Sequence, residues 1–177
     1  MAYGCKSLQI DVPPLSLIKE CSTEAISNTR NCILKIYITR GASKQGYQID
    51  ANSKPNIYLN KISTIPSLIK LTGLKLKVSR IRLADNTILS RIKHMNRIEQ
   101  SLASHEMLHE KSLYDDLLLL DNNKNIIETI SSNIFFVKQS DKTLSFHTPE
   151  LSKCGIEGIR RSLIIDAFKK KKRKVFI

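Results

Sequence analysis

Two places in this chain put chemistry-bearing side chains at spacings that a reaction could use. Lys93 stands in R-I-K-H-M-N-R, with Arg91, His94 and Arg97 close by in sequence. A lysine bonds a carbonyl carbon only when its amine is unprotonated, which a dry setting or neighbouring positive charge favours. The pattern predicts Lys93 at the start of a helix, where the dipole also disfavours an ammonium. On composition alone it would be one solvated lysine among many. The second place is His105-Glu106-Met107-Leu108-His109, an H-E-x-x-H on a predicted helix. That spacing sets two imidazoles on one face for zinc, with the glutamate as general base and Glu128 following at the distance of a third ligand. Three fixed residues match often by chance. The histidines also continue the stripe Met95, Ile98, Leu102, so they are read as capping the buried face of that helix, with no metal.

The elements that must carry these residues follow from periodicity. Pro13-Pro14 opens a helix through Leu15, Ile18, Cys21, Ala25 and Ile26. Cys32 to Thr39 and Asn56 to Thr64 read as strands, the second with Ile57 and Leu59 inward. Pro66 begins a short helical piece that Thr72-Gly73 breaks. Leu74 to Leu83 alternates with Leu74, Leu76 and Val78 inward. Ala84 to Ser90 is polar, and His94 to Ser112 is the strongest helical pattern. Short strands follow at Leu117 to Asp121, Ile126 to Ile130, Asn133 to Lys138 and Leu144 to His147. A last helix begins near Gly158 and runs into the lysine tract. The fold class is α+β. The domains expected are a partial first lobe over 1–83, a linker over 84–91 and a partial second lobe over 92–177 that holds Lys93.

Composition narrows the function. The net charge is +13, but Lys169 to Lys174 supplies six of those charges and +7 is spread over the rest. No aromatic interleaving makes a base-stacking platform, so nucleic acid is not the expected partner. Cys5, Cys21, Cys32 and Cys154 have no metal or framework spacing and read as reduced thiols of a cytoplasmic protein. No apolar stretch approaches a membrane span, and no secretory signal is visible.

Two blocks resemble the class IV aminotransferase superfamily, and within it the aminodeoxychorismate lyases. One is Ile92 to Leu102, I-K-H-M-N-R-I-E-Q-S-L. The other runs from Ile127 to Val137, I-E-T-I-S-S-N-I-F-F-V, through Thr148-Pro149 to Cys154-Gly155-Ile156-Glu157-Gly158-Ile159-Arg160. Ile38-Thr39-Arg40-Gly41 and Gly46-Tyr47 extend the likeness more weakly. The resemblance implies a fold-type IV enzyme like D-amino acid aminotransferase, with two strand-rich lobes, both incomplete here, and pyridoxal 5'-phosphate as cofactor. It implies that Lys93 is the catalytic lysine that bonds the cofactor. Glu128 would face the ring nitrogen, and the amides of Ile159 and Arg160 would hold the phosphate.

The implied reaction is cleavage of 4-amino-4-deoxychorismate to 4-aminobenzoate and pyruvate, a step toward folate, by a homodimer. The alternatives are a branched-chain or D-amino acid aminotransferase, and a non-catalytic remnant whose basic tail binds nucleic acid. Gln45 departs from the pattern, because lyases often carry arginine before Gly-Tyr. The lysine run, placed where the resemblance fades, suggests a frameshift, with a nuclear or nucleic-acid address as the other explanation.

Overall fold

A computed structural model describes residues 1–29, 31–63, 73–109, 113–140 and 143–177. The chain divides into two compact units, Met1–Ile69 and Lys70–Ile177.

The first unit contains helices α1 (Ala2–Ser7) and α2 (Leu15–Ile26) and strands β1 (Cys32–Thr39) and β2 (Asn56–Ser63). Pro14 is the N-cap of α2, where its missing N–H costs nothing. The strands form an antiparallel pair in which Ile36 faces Leu59 and Ile38 faces Ile57, and α2 packs on both. The Arg40 guanidinium, just past β1, donates to the carbonyls of Leu8 and Gln9 and so ties down the end of α1. Gly41 has φ +95°, and a Cβ there would stand 2.0 Å from the Lys54 carbonyl oxygen, so only glycine fits. The short helix expected from Pro66 lies outside the described residues.

The second unit contains β3 (Leu76–Leu83), α3 (Ile98–Leu108), β4 (Asp116–Asp121), β5 (Ile126–Thr129), β6 (Phe136–Ser140), β7 (Thr143–His147), α4 (Ile159–Lys170) and β8 (Val175–Phe176). Two three-stranded sheets result, ordered β3-β4-β5 and β6-β7-β8. β3 is parallel to β4, and α3 lies on the crossover between them, as a parallel pair requires. β4 alternates strictly, with Leu117, Leu119 and Asp121 buried. Leu119 packs with Leu83, Ala103, Ile127, Leu151 and Cys154 in the core.

This grouping differs from the sequence expectation of a first lobe over 1–83 and a linker over 84–91. β3 pairs with β4 and therefore belongs to the second unit. The segment after it is stitched into that unit: Asn86 N–H donates to the Lys153 carbonyl at 2.7 Å, and Ser90 Oγ to the Ser152 carbonyl at 3.0 Å. The inward face of β3 also differs. A register shift between Val78 and Arg82 changes the alternation, leaving Val78 exposed and burying Ser79 and Leu83.

The buried face of α3 is Gln100, Ala103 and Glu106, whereas the expected stripe Met95, Ile98, Leu102 is exposed. Polar residues face inward because each has a partner inside. Glu106 accepts from Ser79 Oγ at 2.7 Å and from the Arg80 N–H at 3.1 Å. His105 and His109 are exposed rather than capping a buried face. The lysine run completes α4 and leads into β8, a strand the periodicity did not suggest. There Thr148 N–H donates to the Phe176 carbonyl at 2.9 Å, and Phe176 stacks on His147. Among the described residues no helix is long and apolar enough to cross a membrane.

Candidate active site

β5 delivers Glu128 into the protein, where it is 3% exposed. A buried carboxylate needs donors, and it has two. Gln100 Nε2 donates to Oε1 at 3.2 Å, and the Ile156 N–H donates to Oε2 at 2.9 Å. Burial pushes its pKa up; the Ile156 and Gln100 hydrogen bonds and the charges of Arg97 and Lys93 oppose that rise. Glu128 is therefore an interior carboxylate, not an edge residue turned to water. Lys93 lies within electrostatic reach of it, so β5 and the lysine segment converge.

Lys93 is not at a helix start. It sits in an irregular segment five residues before Ile98, with its side chain exposed. The backbone fixes this segment. Arg91 N–H donates to the Gly155 carbonyl at 2.9 Å, and Glu157 N–H returns to the Arg91 carbonyl at 3.0 Å. Arg97, the N-cap of α3, donates its guanidinium to the Ile92 carbonyl. His94 is partly buried, and burial, then the Arg97 charge, lowers its pKa, so its ring is neutral at pH 7.

The segment that braces Lys93 also braces Glu128, and Gly155 makes this possible. Its φ is +85°, and a Cβ would lie 2.8 Å from both Ile127 Cγ2 and Leu151 Cδ2. That φ and these contacts favour glycine, and any other residue there is strained. Asn133 secures the next turn: its Nδ2 donates to the Ile156 carbonyl at 2.7 Å, and its Oδ1 accepts the Gly158 N–H at 3.1 Å. Gly158 is the N-cap of α4, as the sequence predicts, and Ile159 and Arg160 form the exposed first turn. The Ser162 N–H bonds back to the Gly158 carbonyl. The amides of Ile159 and Arg160 precede it and have no intrahelical acceptor, as at any helix start. Arg161 turns inward, donating to Thr148 Oγ1 at 3.2 Å and the Pro149 carbonyl at 2.8 Å.

Lys93, Glu128, Ile159 and Arg160 are thus all attached to one scaffold, residues 155–160. Sequence reasoning missed Gln100, Arg97 and Asn133 as supports. Arg97 and Gln100 sit three apart at the start of one helix, a spacing that could have suggested a shared face. The H-E-x-x-H reading has no support in the geometry. Glu106 is engaged by Ser79 and Arg80, and among the described residues no three His, Cys, Asp or Glu side chains cluster as metal ligands.

Comparison with known proteins places this scaffold. The family model for class IV amino-transferases matches residues 3–175, through the lysine run rather than stopping before it. An aminodeoxychorismate lyase of Vibrio harveyi is 28% identical over 90% of this chain and 58% of its own length. A putative branched-chain-amino-acid aminotransferase of Methanocaldococcus jannaschii is 28% identical over 92% of this chain and 55% of its own. The crystal structure of 4-amino-4-deoxychorismate lyase from Pseudomonas aeruginosa superposes with a TM-score of 0.83 at 26% identity, covering 98% of this chain and 63% of that one. The chain therefore spans less than two thirds of these relatives' lengths.

Members of this family use pyridoxal phosphate. The residues present suit it: an exposed lysine, a buried carboxylate, and a helix start carrying Arg160 without an acidic residue in its first turn. Gly155 lets the backbone close against Ile127 and Leu151, which places the Ile156 N–H on Glu128 Oε2 at 2.9 Å. With residues 3 to 175 inside the match, the chain belongs to the class IV aminotransferase family, the pyridoxal-phosphate enzymes of fold type IV.

Proposed function

We propose that this chain forms the cofactor-binding part of a lyase that converts 4-amino-4-deoxychorismate to 4-aminobenzoate and pyruvate. The observation that carries the reading is the bracing of Lys93 and Glu128 by one backbone segment, Gly155 to Glu157. Support for the lyase comes from the Lys93-His94-Met95-Asn96-Arg97-Ile98-Glu99-Gln100 block and the similarity to the Vibrio and Pseudomonas lyases.

When bound, the cofactor supplies a carbonyl for the lysine and a ring that accepts electrons. Lys93 would be the residue that bonds the cofactor's carbonyl carbon and, once freed by the substrate amine, the base that takes the proton from the carbon bearing that amine. Glu128, as a carboxylate, keeps a proton on the ring nitrogen. The first-turn amides at Ile159 and Arg160 bind the phosphate. The protein acts as a cytoplasmic homodimer in this reading.

A second reading is a branched-chain aminotransferase, favoured by the similarity to the Methanocaldococcus protein. One experiment addresses both. Purified protein, with and without Lys93→Ala, is mixed with pyridoxal phosphate, its visible spectrum is recorded, and either 4-amino-4-deoxychorismate or a branched-chain amino acid with a 2-oxo acid is then added. The wild type should turn yellow and release 4-aminobenzoate, and Lys93→Ala should do neither. Colour with amino-group transfer to a 2-oxo acid, and no aminobenzoate, would select the aminotransferase. A folded, colourless wild type would sink both.

A further inference from the structure

The reading above gives Glu128 the ring nitrogen, and one of its two hydrogen bonds comes from a different element. Gln100 lies in the first turn of α3, is buried, and donates Nε2 to Glu128 Oε1 at 3.2 Å. An ionised carboxylate can only accept, so it dictates which way the Gln100 amide faces. That orientation leaves Gln100 Oε1 buried without a partner. Arg97 Nε and His94 Nδ1 are also buried and unpartnered, and these three residues line one cavity of about 150 Å³. The amide thus points its donor at Glu128 and its oxygen toward the cavity. Its donor is committed to Glu128 at the expense of its oxygen.

We propose that Gln100 is a positioning residue of the cofactor site, whose side-chain amide keeps the Glu128 carboxylate ionised and aimed at the ring nitrogen. This rests on the functional reading above. The same helix start also holds the lysine segment, because Arg97 donates to the Ile92 carbonyl. One turn of α3 thereby sets both the cofactor's carbonyl partner and its ring partner. The groups acting on Glu128 are Arg97 and Lys93 ahead of α3, Gln100 on it, and the Ile156 N–H and Cys154 after Leu151. Burial pushes the Cys154 thiol up to about 11, so it stays uncharged at neutral pH and leaves the ionisation of Glu128 to the others. Removing the Gln100 amide takes away one of the two hydrogen bonds that oppose burial.

The test begins with cofactor-free protein labelled with 13C at glutamate carboxyls, the Glu128 signal being assigned with Glu128→Gln. In Gln100→Met, which keeps the length but not the donor, the Glu128 midpoint should rise by about one pH unit, a tenfold gain in proton affinity. Correct folding is checked from the backbone amide spectrum. In unmutated protein, the Gln100 side-chain NH2 signals should shift with the same midpoint as Glu128. This second measurement needs no variant and stands even if Gln100→Met does not fold. An unmoved midpoint in folded Gln100→Met, or Gln100 NH2 signals that ignore the titration of Glu128, would overturn the proposal. Loading with pyridoxal phosphate separates this from the functional reading. If wild type takes up no cofactor, that reading fails, whereas the titrations still decide whether Gln100 sets the charge of Glu128.

Discussion

Glu128 carries the sharpest conflict between burial and charge in the site. Its pKa is raised by burial, so the folded protein binds that proton more tightly than the unfolded chain does. Stability of the cofactor-free protein therefore falls as pH rises from the ordinary carboxylate value through the raised one. Glu128→Gln removes the charge, and its amide can pair with Gln100 once that side chain turns its free oxygen inward. The substitution should stabilise the cofactor-free protein at pH 7 by on the order of 1 kcal/mol while abolishing activity. The gain should vanish below about pH 4. Thermal melts across that range check it, and an equal gain at pH 4 and 7 would refute the charge argument. Gly155→Ala should cost about 2–4 kcal/mol, through the unfavourable φ and the contacts with Ile127 and Leu151, and weaken cofactor uptake. Urea unfolding with cofactor titration measures both. At this scale motif and chemistry together pointed the sequence reading to Lys93 and Glu128, and the structure ties both segments to residues 155–157. Gln100 and Asn133 were not legible, because a side chain that supports another has no signature until the partner's position is known.

Among the elements, α3 was found but misread at its edges and on its face. The sequence suggests His94 to Ser112, of which 110–112 lie outside the described residues; the helix is Ile98–Leu108, and Arg97 before it spends its guanidinium on the Ile92 carbonyl. Apolar periodicity pointed to Ile98 and Leu102, yet the helix turns Gln100 and Glu106 inward. A hydrophobicity pattern cannot show that a carboxylate will meet a serine hydroxyl and a backbone N–H from β3. Those bonds, with the Arg80 charge, hold Glu106 below the usual carboxylate range despite the opposing effect of burial. A depressed pKa contributes stability above the unfolded value and loses it as pH falls through the folded one. Glu106→Ala should cost about 2–3 kcal/mol at pH 7, and less in acid. Urea unfolding at both pH values tests this; a loss that does not shrink in acid would mean lost packing dominates. β1, β4 and the start of α4 were legible because uninterrupted apolar runs and a Gly N-cap leave few alternatives. β8 was hidden because two residues after a lysine run carry no period.

For the whole molecule, cofactor binding and stability are linked. A ligand that binds only the folded state stabilises it by about 2.7 kcal/mol at one hundred times its dissociation constant. Pyridoxal phosphate should raise the melting temperature of the wild type in a concentration-dependent way, and Lys93→Ala should lose most of that increase. Differential scanning fluorimetry over a cofactor series reads it; equal shifts in both proteins would mean that binding does not depend on the lysine. Motifs made the fold class legible across nearly all of the chain. The unit boundary was not, since β3 joins the second unit only through its long-range pairing with β4. The bracing of Lys93 bears on how such a site drifts through time. Arg91, Gly155 and Glu157 meet through main-chain groups, and a main chain is indifferent to most replacements of its side chains. A saturation library should accept many residues at Ile156, fewer at Arg91, whose φ is +67°, and at Glu157, which pairs with the buried Arg161, and fewest at Gly155, Gly158 and Asn133. Lineages could then rewrite most of this scaffold without moving the lysine, which fits with relatives at 28% identity sharing its fold family.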